Sequence, residues 1–194
     1  MSKDPEPAVD VVAVEAAVRQ LLQAMHVPAA SEVMRETPRR VAESYRELLT
    51  PTDFTVTTFA NDEGYEELIV VRDIPVQSLC EHHLLPFVGV AHIGYLPDAR
   101  LVGLSKFARV VDAYSRRLQL QERLTCQVAD WFEQQLAPKG VGVVIEAEHF
   151  CMTLRGARAH GAATTTSAMR GDLREDARTR AEFLSMIAQP RRTH

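Results

Sequence analysis

The chain has 194 residues, 46% of them hydrophobic and 25% charged, with a formal charge of −4; this suits one soluble globular domain with some terminal decoration. That charge gives no reason to expect a nucleic-acid or membrane partner, so any basic site must be local. No apolar run approaches the roughly 18–20 residues of a membrane-spanning helix, Met1 to Pro7 lacks a signal-peptide core, and three unclustered cysteines suit a reducing cytoplasm.

Met1 to Pro7 reads as a loose tail. Between Val9 and Met25, apolar residues recur near helical spacing at Val12, Val14, Val18, Leu21, Leu22 and Met25. Glu36-Thr37-Pro38 predicts a second helix with Thr37 as N-cap and Pro38 in its first turn, stopped by Pro51. Leu68 to Val76 and Val88 to Tyr95 predict strands. Ser105 is a candidate cap for a helix to about Leu118. Another helix covers about Glu122 to Leu136, before the Pro138-Lys-Gly140 turn. Val141 to Met152 predicts a long strand, Ala163 to Met169 a Thr-rich one, and Asp176 to Ala188 a final helix. The order gives a helical region over residues 1–60 and an α+β unit over 61–194.

Two short segments carry the densest chemistry: Ser78-Leu-Cys-Glu-His-His-Leu-Leu-Pro-Phe-Val-Gly89 and His149-Phe-Cys151. Together they offer two thiols and three imidazoles, ligands of a soft or borderline metal. Side chains alternate along a strand, so His149 and Cys151 are expected to share a face with Val141, Val143, Ile145 and Ala147. Cys80 and His83 have a spacing that lets both reach inward from one turn. Cys80, His83 and Cys151 as ligands would leave a fourth position for water, the pattern of a catalytic zinc. Small buried core cysteines, or a structural zinc closed by His82 or His149, are the alternatives. Cys126 lies mid-helix among Leu124, Val128 and Ala129 and reads as packing.

A third segment, Gly103-Leu-Ser-Lys-Phe-Ala-Arg109, sets Ser105, Lys106 and Arg109 around a helix start, where backbone N–H groups favour phosphate. Arg155, four residues past Cys151, adds a cation; a solvated basic face is the competing reading. The Glu122 carboxylate can accept two parallel bonds from a planar donor pair such as the N1–H and N2 amino group of guanine. It equally suits a charge at a helix N-terminus.

These segments, with Gln119-Leu-Gln-Glu-Arg-Leu-Thr125, His149-Phe-Cys-Met-Thr-Leu-Arg-Gly156 and the Thr-rich Ala163 to Ser167, resemble the GTP cyclohydrolase I family over roughly Glu36 to Ile187. The resemblance implies hydrolytic opening of the guanine imidazole ring of GTP, with release of formate, ribose rearrangement and closure to 7,8-dihydroneopterin triphosphate. It implies Zn2+ on Cys80, His83 and Cys151, and His82 and His149 as the acid–base pair. Gln121 and Glu122 would contact guanine and Ser105 the ribose and phosphates, at the reacting end of the site. Lys106, Arg109, Arg155 and Arg40, the last from another subunit, would hold the triphosphate. The fold implied is the tunnelling fold, an antiparallel sheet with helices on one face, in a homodecamer of two pentamers with sites at subunit boundaries. Rival readings are another pterin or deazapurine enzyme of that fold, or a non-catalytic zinc-stabilised assembly module.

Overall fold

The computed structural model describes residues 9–28 and 31–189; the expected tail, Met1 to Pro7, lies outside them. The chain divides into two compact units, Met1–Pro51 and Thr52–His194.

In the first unit, helix α1 (Val11–Ala24) starts at Asp10, whose Oδ1 accepts from the Ala13 N–H at 3.0 Å. Helix α2 (Glu32–Leu49) starts at Ser31, whose hydroxyl accepts from the Met34 N–H at 3.2 Å. This corrects the expected start at Thr37-Pro38. Pro38 sits inside the helix, where its missing N–H leaves no bond for the Met34 carbonyl, and Thr37 donates its hydroxyl proton to Val33 O at 3.1 Å. A cap six residues upstream overrides the local Thr-Pro signal. The helix ends at Thr50, held extended by the proline after it. Among the described residues of this unit only Pro38 and Ala42 are buried, and Val12, Leu21 and Met25 stay exposed.

The second unit is built on strands β1 (Thr58–Ala60), β2 (Ile69–Cys80), β3 (Pro86–Leu96), β4 (Arg100–Val102), β5 (Leu118–Gln119), β6 (Gly140–His149) and β7 (Thr164–Gly171). Its helices are α3 (Ser105–Ser115), α4 (Gln121–Leu136), α5 (Phe150–Thr153), α6 (Asp172–Glu175) and α7 (Ala177–Ala188). The main sheet runs β5-β2-β3-β6-β7, antiparallel except for the short β5 beside β2; β1 and β4 form a separate ribbon. Alternate residues Ala91, Ile93, Val141, Val143 and Ile145 are buried against Phe107, Val110 and Val111 of α3 and Leu124, Val128 and Phe132 of α4. Each such valine, isoleucine, leucine or phenylalanine side chain contributes about 1.5–3 kcal/mol of burial. The α+β class and the helix-covered antiparallel sheet are as expected. On the opposite face, Phe183 of α7 fills the space left by Gly94 and Gly142; a Cβ at Gly94 would come 2.7 Å from its ring.

Three further helix and strand ends differ from expectation, the first for a local reason and the other two for tertiary ones. Ser105 is the first helical residue of α3 and forms no side-chain cap; Lys106 N–H bonds instead to Gly103 O at 2.8 Å. That helix stops at Ser115, whose carbonyl accepts the Ser78 hydroxyl at 2.6 Å, and the chain then leaves to pair Leu118 with Leu79. Strand β6 ends at His149, so Cys151 lies in the helical turn α5 and not on the strand face beside His149. His149 pairs with Phe87; the next partner would be Pro86, which has no N–H to give, and β7 pairs only as far as Ala147. With its ladder exhausted on both sides, the chain turns.

Candidate active site and metal centre

Cys80 is buried at the end of β2, where the chain turns back through Leu84 (φ 55°) into β3. The turn is pinned by Cys80 N–H to Leu85 O and Leu84 N–H to Cys80 O, both at 2.8 Å. It brings His82 Nδ1 to 3.8 Å and His83 Nδ1 to 3.9 Å from Cys80 Sγ. The helical turn α5 brings Cys151 to the same place. Ligand atoms of Cys80, His149 and Cys151 lie within 4.8 Å of one another, and so do those of Cys80, His82 and His83. Cys80 is the shared member, so the other four expected sulfur and imidazole donors gather around it. Cys126 is an exposed residue of α4 and belongs to neither group.

The donor set fits a zinc-type cation. Burial, and then the neighbouring Cys80 sulfur, push the Cys151 thiol above its ordinary value, while Arg155 pulls it down. A thiol placed like that of Cys151 resists becoming an anion unless a cation lies beside it.

His149 is held on two sides. Its ring stacks on Phe87, with centroids 4.7 Å apart and planes 10° from parallel. Its Nε2 is 2.7 Å from Gln121 Oε1. Gln121, 1% exposed, donates from Nε2 to Ile145 O at 3.0 Å and Thr164 O at 2.8 Å. Carbonyl oxygens only accept, so the amide nitrogen must face them and Oε1 must face the imidazole. His149 therefore donates from Nε2, and in its neutral form the lone pair is on Nδ1. Burial lowers the pKa of this ring, with Glu122 pulling the other way.

Glu122 stands exposed in the first turn of α4, where the helix dipole favours its charge. Arg123 beside it pairs with Glu81, and Glu81 N–H bonds to Gln119 O at 3.0 Å. These contacts tie the histidine turn to α4 through Arg123 and to β5 through Gln119. The pair is some 40% exposed at each end, so it adds little stability and mainly sets position. Sequence reasoning missed Phe87, Glu81 and Arg123 as supports, although all three sit inside the quoted motifs.

The expected phosphate-binding cations lie on separate elements: Lys106 and Arg109 on α3, Arg155 after α5 and Arg40 on α2. Lys106 is only 7% exposed, whereas Ser105 and Arg109 are exposed at the start of α3. Arg109 helps line a cavity of about 400 Å³ with Thr52, Asp53, Ala108 and Asp112. Arg155 is exposed in the loop after α5, near enough to Cys151 to stabilise its thiolate. Arg40 is exposed on α2 in the other unit. Among the described residues, no helix is long and apolar enough to cross a membrane.

Residues 14–188 match the family described as GTP cyclohydrolase I. A relative named GTP cyclohydrolase 1 from Streptomyces avermitilis is 54% identical over 180 residues, covering 89% of this chain and 88% of its own. Another of that name, from Mycolicibacterium gilvum, is 52% identical over 187 residues, covering 93% and 92%. A fainter likeness, 18% identical with a TM-score of 0.47 over 55% of this chain and 96% of the other, is to a solved apo archaeosine synthase QueF-Like. Agreement that runs from the first helix to the last, at more than half identity with both curated relatives, decides the family: this chain belongs to GTP cyclohydrolase I.

Proposed function

We propose that this chain opens the imidazole ring of GTP by hydrolysis, releasing C8 as formate and yielding 7,8-dihydroneopterin triphosphate, the entry to pterin and folate-type products. The observation that carries the reading is the gathering of Cys80, Cys151 and the three histidines beside Gln121 and Glu122. Cys80, His83 and Cys151 would hold Zn2+, with His149 adjacent to both sulfurs. When bound, zinc supplies Lewis acidity that makes water a nucleophile at neutral pH.

The chain's own residues do the rest. Glu122 accepts the N1–H and N2–H of guanine as a parallel pair. The Gln121 side-chain amide is fully occupied, so its guanine contact falls to its backbone N–H, which has no intrahelical partner in the first turn of α4. His149, tethered through Nε2, has Nδ1 free to exchange a proton with the substrate, and the exposed His82 serves as the second acid–base group. Ser105 meets the ribose and phosphates. Lys106, Arg109, Arg155 and Arg40 take the triphosphate. Burial of the Lys106 charge has a desolvation cost that a phosphate offsets. Binding energy gathered there, away from C8, orients the reacting ring.

Incubation with GTP, with and without a chelator, tests the whole reading. Formate and, after oxidation, a fluorescent pterin are expected only from the metal-loaded protein; zinc-loaded protein that releases no formate would end it.

The assembly is proposed as a homodecamer of two pentamers, with sites shared between subunits. Strand β7 has an open edge ready to pair, and α1 leaves Val12, Leu21 and Met25 uncovered. Co-expressing Arg40→Ala with Glu122→Ala chains checks this together with the role of Arg40. Mixed assemblies should recover turnover that neither variant has alone, because some sites draw both intact residues from different subunits. No recovery in assemblies shown to be mixed would place Arg40 within its own subunit's site or outside every site.

A further inference from the structure

Behind His149 lies a hydrogen-bonded loop whose direction follows from which atoms can donate. Thr125 Oγ1 is 2.7 Å from the Gln121 backbone oxygen, which can only accept, so the one hydroxyl proton of Thr125 points there. Thr125 Oγ1 is also 2.6 Å from Thr166 Oγ1, and in that pair Thr166 must be the donor. Thr166 then has only lone pairs to offer Gln121 Nε2, 3.1 Å away, where it shares one of the two amide protons with a backbone carbonyl. The bonds close a ring that leaves Gln121 from its side chain, passes through Thr166 and Thr125, and returns to Gln121 at its backbone. Gln121 and Thr125 are each 1% exposed and shielded from water, while Thr166 is half-buried on β7.

This ring joins the first turn of α4 to β7. It sets the height at which the Gln121 amide meets Ile145 O and Thr164 O, and so the direction of Oε1 toward the imidazole. We propose that Thr125 and Thr166 are positioning residues that act through Gln121 to hold His149 in its Nε2–H tautomer, leaving Nδ1 as the ring's one acceptor. The catalytic consequence rests on the cyclohydrolase reading; the tautomer does not. Without Thr166 the carboxamide keeps Ile145 O and Thr164 O but loses the contact that fixes its tilt between them, and a turn that brings its NH2 to the imidazole in part of the molecules takes the acceptor from Nδ1 there.

Thr166→Val keeps the shape and removes the hydroxyl, and Thr166→Ser restores it. With Thr166→Val, kcat is expected to fall about tenfold or more, the range for groups that orient a site residue. KM for GTP and zinc per chain should stay at wild-type levels, and Thr166→Ser should return most of the kcat. Independently of any reaction, solid-state 15N spectra of histidine-labelled protein at about pH 8, above the ordinary imidazole range, report the tautomer. The His149 signal is identified by its loss in His149→Ala. A single Nε2–H form in wild type and Thr166→Ser, with a mixed or inverted form in Thr166→Val, supports the proposal. An unchanged tautomer in Thr166→Val overturns it, whatever the activity. If the tautomer shifts while no variant releases formate, the functional reading fails and the positioning role stands. Should Thr166→Val not fold, Thr125→Val breaks the same ring from the helix side and is read in the same way.

Discussion

Cys151→Ala is expected to leave the fold intact and to abolish both metal binding and formate release. Cys151 is only partly buried in a four-residue helical turn, so trimming it opens no large cavity in the core. It does halve the sulfur content of the proposed metal set. A metal ion is worth several kcal/mol of transition-state stabilisation, and at 1.36 kcal/mol per factor of ten the turnover should drop by about 10³-fold or more. Zinc analysis, circular dichroism and a formate assay on one sample check this. Cys126→Ala, an exposed thiol outside both donor groups, serves as the control with zinc and turnover unchanged. Zinc retained at one per chain in Cys151→Ala, with full turnover, would contradict the assignment.

Replacing the two proposed acid–base histidines separates catalysis from mere metal-stabilised assembly. His82→Ala and His149→Ala should each lower formate release by about 10²–10⁴-fold, the usual span for a positioned proton-transfer group, while zinc stays bound. His83→Ala should instead lose the zinc. The comparison has force because His149, not His83, lies with both sulfurs in one of the tight triads. If His149→Ala is the variant that sheds the metal, His149 is a ligand, and the proton traffic must be reassigned to His82 and His83. If every histidine variant keeps full activity toward GTP, none of them moves a proton.

Much of the site was legible because its chemistry is concentrated in side chains at strand ends. Alternating Val141, Val143, Ile145 and Ala147 made the strand up to His149 plain, and the sulfur and imidazole donors stood out by type and spacing. The exit of Cys151 from that strand was not legible, since it depends on Pro86 arriving opposite residue 150 from a distant strand. The start of α2 misled for the opposite reason: Thr37-Pro38 carries a strong local signal, but the helix already had a cap at Ser31. The need for glycine at 94 and 142 was not legible either, since it depends on Phe183 of the last helix seated over both. Gln121 showed the limit most clearly. Its motif suggested a base contact, but its buried partners on β6 and β7 are set by tertiary packing that no local pattern encodes.

The placement of Cys80 and Cys151 on elements joined only through β3 and β6 has a consequence for biosynthesis. While the ribosome is still making the second half of the chain, the Cys80–His83 turn offers at most a weak, half-built chelate. The full set exists only after the central strands have zipped together, a slow, long-range event. With the proposed ligand set, metal insertion would be a late maturation step that follows folding, and nascent chains should gain little from abundant zinc until translation is complete.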